Sequence, residues 1–87
     1  MMSQKDIQDA IAQILKRDCG VKRETISPEL RLQEDLGLDS MGLLNLALEV
    51  ENHFQVYLEE AADNPPESIG DIVNLVMIRL EEQIHAA

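Results

Sequence analysis

The residues best placed for chemistry lie in one run, Asp35-Leu36-Gly37-Leu38-Asp39-Ser40-Met41, with Ser40 at the point where a loop gives way to a helical pattern. A serine there serves by default as a helix N-cap, its oxygen accepting a backbone N–H. The position also suits a second use. A hydroxyl at a helix N-terminus, beside a tight Gly37-containing loop, is reachable by an enzyme. An anionic group joined to it would lie at the positive end of the helix dipole, near free backbone N–H groups. Asp35 and Asp39 oppose that stabilisation, unless they help hold a metal ion delivered with a diphosphate donor.

The other reactive side chains offer less. Cys19 is the single cysteine, so it closes no internal disulfide, and no Cys/His cluster has zinc-ligand spacing. It reads as a small packing residue near a helix end. His53 and His85 are isolated, and Glu34, Asp35 and Asp39 lack the alternating carboxylates and central Gly of a calcium loop, so no metal site is expected. Glu59, Glu60, Asp63 and Glu67 read as a solvated face, and Lys16, Arg17, Lys22 and Arg23 as a small basic patch. With no nucleophile–base pair, no cofactor loop and little room for a buried pocket, enzymatic activity is not expected.

The elements that must position Ser40 follow from periodicity. Ser3 is a plausible N-cap for a helix over residues 4–18, with Ile7, Ile11, Ile14 and Leu15 on one face, Lys16 and Arg17 in its last turn and Gly20 as its stop. A long connection over 19–38 turns at Ser27-Pro28-Glu29, and Val21, Ile26, Leu30, Leu32 and Leu36 could pin it to a core. A second helix from Asp39 or Ser40 to about His53 carries Leu43, Leu46, Ala47, Val50 and Phe54 as one stripe and Met41, Leu44 and Leu48 as another. The second stripe is either buried too, under the loop or a short helix, or left exposed for partners or a stored chain. Leu58–Asn64 could form one or two helical turns before Pro65-Pro66. A last helix over 69–84 opens with a Ser68/Asp71 capping pattern and buries Ile69, Ile72, Val73, Val76 and Leu80. The prediction is all-α: one domain over 1–87, a small three-to-four-helix bundle with a long loop between helices 1 and 2.

Composition agrees. The 87 residues are 45% apolar with no Trp, one Phe and one Tyr, so the core must be aliphatic. No apolar stretch approaches the roughly 20 residues that span a bilayer, and the N-terminus lacks a signal peptide's apolar run, so a soluble, cytoplasmic protein is expected, without membrane partners. The net charge of −10 argues against nucleic acid. Between Leu32 and Ile78 there are ten acidic residues and no Lys or Arg. Such a field steers basic surfaces, though acidity also simply keeps a small domain soluble.

The chain resembles the acyl carrier protein family. The likeness rests on Asp-Leu-Gly-Leu-Asp-Ser-Met (35–41), the Gly20-Val21 helix exit, Ala47-Leu48-Glu49, Phe54 and Ser68-Ile69-Gly70-Asp71-Ile72. It implies that Ser40 bears 4′-phosphopantetheine, covalently attached from coenzyme A by a phosphopantetheinyl transferase with magnesium, and that Asp39 is read by that enzyme. It also implies that acyl or aminoacyl groups ride as thioesters between loading ligases or synthases. The pathway stays open among fatty acid, polyketide, specialised lipid and amino-acid carriage. Met41, Leu44 and Leu48, with the carboxylates Glu49 and Glu51, would face partners, and a stand-alone monomer is expected.

The family's fatty-acid carriers are usually acidic just after the serine, whereas this chain has Gly42 and Asn45. Gly42 either permits close approach of a partner or is tolerated. A different class of function would be an unmodified helical interaction module that retains the carrier fold.

Overall fold

The computed structural model describes residues 3–58 and 66–85. Among these, three helices form: α1 (Gln4–Asp18), α2 (Ser40–Phe54) and α3 (Ile69–His85). The all-α class, the long first connection and the helix limits follow the sequence periodicity to within a residue or so. The short helix expected over Leu58–Asn64 lies outside the described residues, apart from Leu58, which is buried.

The helix ends are set by side chains. In α1, Ser3 Oγ accepts from Asp6 N–H while Asp6 returns a bond to Ser3 N–H, satisfying two otherwise orphaned donors. Ser68 and Asp71 repeat this at α3, so the shorter Asp closes the box as well as Glu would, and the same carboxylate also accepts from Glu67 N–H.

Ile7, Ile11, Ile14 and Leu15 of α1 meet Leu46, Val50 and Phe54 of α2 and Ile69, Ile72, Val73 and Val76 of α3 in one core that is aliphatic but for Phe54. Each such side chain contributes about 1.5–3 kcal/mol when buried, against the entropy of ordering it. The helix α1 packs on both others, whereas α2 and α3 make few contacts with each other. The long loop is part of the core: Val21, Leu32 and Leu38 are buried, and Ile26, Leu30 and Leu36 pack against them.

Backbone hydrogen bonds then stitch this loop to the start of α3. Leu32 N–H donates to Glu67 C=O (2.9 Å), Ile69 N–H to Leu30 C=O (3.0 Å) and Gly70 N–H to Pro28 C=O (2.9 Å). Gly70 is required by this approach: a Cβ there would stand 3.2 Å from the Pro28 carbonyl oxygen, which the Gly70 N–H itself holds in place. At Gly42 a Cβ would stand 3.3 Å from Leu38 Cδ2 and 3.4 Å from Asp39 Oδ1, side-chain ends rather than backbone. Gly70→Ala should therefore destabilise by about 1 kcal/mol or more, overpacking outweighing helix propensity. Gly42→Ala should be neutral or gain up to about 1 kcal/mol. Thermal melts read both, at about 4–8 °C per kcal/mol for a domain of this size.

Candidate functional site

The segment before Ser40 is held at several points. Asp35 Oδ2 accepts from Arg31 N–H (2.7 Å), and Asp35, Leu36 and Gly37 N–H groups close back on Arg31 and Gln33 carbonyls. Gly37 has φ +70°, a left-handed conformation that side chains disfavour. Leu38 N–H then bonds Leu32 C=O (3.0 Å), and the Leu38 side chain is buried. Leu32 and Leu38 thus anchor the turn that delivers Ser40.

The N-cap of α2 is Asp39, whose Oδ1 accepts from Gly42 N–H at 2.8 Å. The default capping role therefore falls to the aspartate, and Ser40 becomes the first helical residue. Its side chain is exposed, and among the described residues its hydroxyl has no hydrogen-bond partner. The backbone N–H groups of Ser40 and Met41 likewise meet no acceptor there. The other serines differ: Ser3 and Ser68 spend their hydroxyls in capping boxes, and Ser27 is half-buried. An exposed, uncommitted hydroxyl beside two open N–H donors at the positive end of a helix fits a phosphodiester-linked group. Asp35 and Asp39 each commit an oxygen to backbone, and among the described residues no group of three or more His, Cys, Asp or Glu could hold a metal ion.

The second stripe of α2 lies on the surface: Met41, Leu44 and Leu48 are 73%, 56% and 50% exposed. Asn45 faces elsewhere, its amide donating to Asp18 C=O (3.0 Å) and tying α2 to the last turn of α1. Glu51 is half-buried and accepts from Leu58 N–H (3.3 Å), while Glu49, also half-buried, lies close enough to Cys19 to act on its titration. Of the residues expected to face partners, the three apolar ones are therefore the most open, and the two glutamates sit toward the body of the protein.

Burial pushes the Cys19 thiol up, Asp18 and Glu49 push the same way, and a bond from Asn45 opposes them. At neutral pH Cys19 holds less thiolate than an ordinary cysteine. It should alkylate more slowly with iodoacetamide than a free thiol at pH 7, gaining rate only as pH rises past the usual thiol range; time-resolved intact mass checks this.

Sequence reading missed that Asp39 frees Ser40 from capping, that Asn45 links α2 to α1, and that Arg31 joins Glu34 and Glu67 around a small cleft. An Asp directly before the first helical position is a signal for the first, since Asp is a preferred N-cap; the other two depend on tertiary placement.

Comparison with known proteins bears on the same residues. The family model described as "Phosphopantetheine attachment site" matches residues 9–76. The chain is 34% identical over 71 residues to the acyl carrier protein of Chlorobium phaeovibrioides, spanning 82% of this chain and 87% of that protein. It is 30% identical over 80 residues to the acyl carrier protein of Thermotoga maritima, spanning 92% and 99%. A solved acyl carrier protein from Enterococcus faecalis shares the fold, with a TM-score of 0.65 over 90% of this chain and 99% of that one, at 21% identity. With the family model and these relatives covering most of its length, the chain belongs to the acyl carrier protein family, whose prosthetic group is covalent 4′-phosphopantetheine.

Proposed function

We propose that Ser40 is the attachment residue and that the 87 residues act as one carrier domain in the cytoplasm, a monomer that presents acyl or aminoacyl cargo to successive enzymes. The observation that carries this is the Ser40 hydroxyl, exposed and unbonded among the described residues at the first position of α2. The arm, when attached, supplies a terminal thiol that holds cargo as a thioester. The chain's own residues position and address it. Asp39 caps the helix so that Ser40 is free, and the Leu32 and Leu38 anchors fix where the hydroxyl emerges. Asp39 also presents a carboxylate to the transferase. Among the described residues no helix is long and apolar enough to cross a membrane.

The pathway we favour is a dedicated one, carrying a polyketide, an amino acid or a specialised lipid, rather than housekeeping fatty-acid synthesis. This reading is supported by the first two turns of α2. They hold no carboxylate beyond the Asp39 cap, and Met41 and Leu44 open an apolar strip that continues to Leu48. Loading ligases or synthases would then meet an apolar face.

Incubation with coenzyme A, magnesium and a broad-specificity phosphopantetheinyl transferase tests the carrier reading. A mass gain of one phosphopantetheine per chain is expected. No gain by the folded protein would favour an interaction module that keeps the carrier fold without an arm.

A further inference from the structure

The apolar strip of α2 gives a partner something to bind but little to fix its direction, since Met41, Leu44 and Leu48 form a plain row. A specific interface covers about 800 Å² of each protein, roughly a seventh of this chain's 5795 Å². Three side chains and Ser40 cannot fill that area, so the footprint reaches the ground on both flanks of the row.

Those flanks differ in charge. Successive helical residues point about 100° apart, so Leu43 and Asn45 lie to either side of Leu44. Leu43 faces the long loop and the start of α3, beside Arg31, Glu34 and Glu67. With the exposed Asp35 and Asp39, that flank sets four carboxylates against one cation, next to Ser40. Asn45 turns the other way, to the Asp18 carbonyl at the end of α1 (3.0 Å). There Lys16, Arg17, Lys22 and Arg23 are all exposed, four cations against the exposed Glu24 and the half-buried Asp18 and Glu49. Two of the four are held by backbone carbonyls, which leave their charge intact. Lys16 Nζ donates to Glu24 C=O (3.1 Å), and Arg23 donates to Asp35 C=O (3.3 Å).

We propose that the end of α1 belongs to the docking surface, and that the loading enzyme borders its apolar groove with carboxylates there and with cations beside Ser40. The inference rests on Ser40 bearing the arm and on the α2 strip being the face that docks. Apolar contact supplies the affinity. The two rims fix one rotation of the carrier, the one that aims Ser40 at the enzyme's active-site mouth. Turned half round, the carrier would set like charges together on both rims, which costs far more than an exposed ion pair contributes. Encounter is steered the same way, because the unlike flanks give the surface a dipole across α2.

The test charges protein whose arm has been confirmed by mass, using the cognate loading enzyme, and compares two single reversals of the same charge. Lys22→Glu should lower kcat/KM about tenfold, because it sets a carboxylate against the enzyme's acidic rim. Lys5→Glu, exposed and about 16 Å from Lys16 along α1, should leave it unchanged. Both should melt near the parent temperature, since neither side chain is buried. Zero-length carbodiimide coupling of the docked pair should join Lys16 or Lys22 to enzyme carboxylates and Lys5 to none, as read by tandem mass spectrometry. Equal losses for the two reversals, no loss with Lys22→Glu, or coupling through Lys5 alone would overturn the inference. A parent chain that takes no arm would instead overturn the reading beneath it.

Discussion

Ser40→Ala protein is expected to take up no phosphopantetheine under conditions that convert the parent chain fully, and to melt at the same temperature or slightly higher. The loss is complete because attachment needs an oxygen at that position, and the remaining serines are capped or half-buried. The fold should not notice. The hydroxyl makes no hydrogen bond among the described residues, the α2 cap belongs to Asp39, and Ala favours a helix more than Ser. A change at Asp39 separates two effects. Asp39→Asn keeps a side-chain oxygen for Gly42 N–H and so keeps stability within a few tenths of a kcal/mol, whereas Asp39→Ala costs about 1 kcal/mol. Both remove the carboxylate, so both should slow the transferase. Circular dichroism melts alongside intact mass distinguish loss of address from loss of structure.

The second large effect is expected on α2. Leu44→Asp with Leu48→Asp should lower charging by a cognate loading enzyme about 30-fold or more, the equivalent of about 2 kcal/mol at a buried interface hot spot. Both side chains are half exposed or more in the free protein, so burial in the core is not what they provide, and the melting temperature should stay near that of the parent. The parent's rate should also depend weakly on salt. Contacts through Met41, Leu44 and Leu48 are not screened, whereas exposed charge pairs farther apart than about 8 Å lose most of their attraction at physiological ionic strength. A steep fall in rate between low and moderate salt would show instead that docking runs through the acidic groups.

Much of this arrangement is legible in the sequence, for identifiable reasons. The stripes of α1 and α3 repeat at three and four residues, and every position assigned to the α1 face is buried, as are Ile69, Ile72, Val73 and Val76. Helix starts were readable because Ser3 and Ser68 stand where caps must stand. The Ser40 motif is legible as a resemblance, whereas the capping of α2 by Asp39, which leaves the Ser40 hydroxyl unbonded among the described residues, shows only in the fold. Periodicity also exposed the surplus stripe of α2 without deciding whether anything covered it. The loop's attachment to α3 was hidden because one isolated bridge, Arg31 with Ser68, leaves no alternating pattern to read. The roles of Asn45 and Gly70 were hidden likewise, since each depends on a carbonyl 27 and 42 residues away in sequence, at Asp18 and Pro28.

The most direct test of the central claim is peptide mapping of the modified protein by tandem mass spectrometry, with the arm located by its characteristic ejection. The account predicts a single arm on the peptide containing Ser40 and none on peptides containing Ser3, Ser27 or Ser68. An arm on any of those three, or a folded chain that gains none, would contradict it.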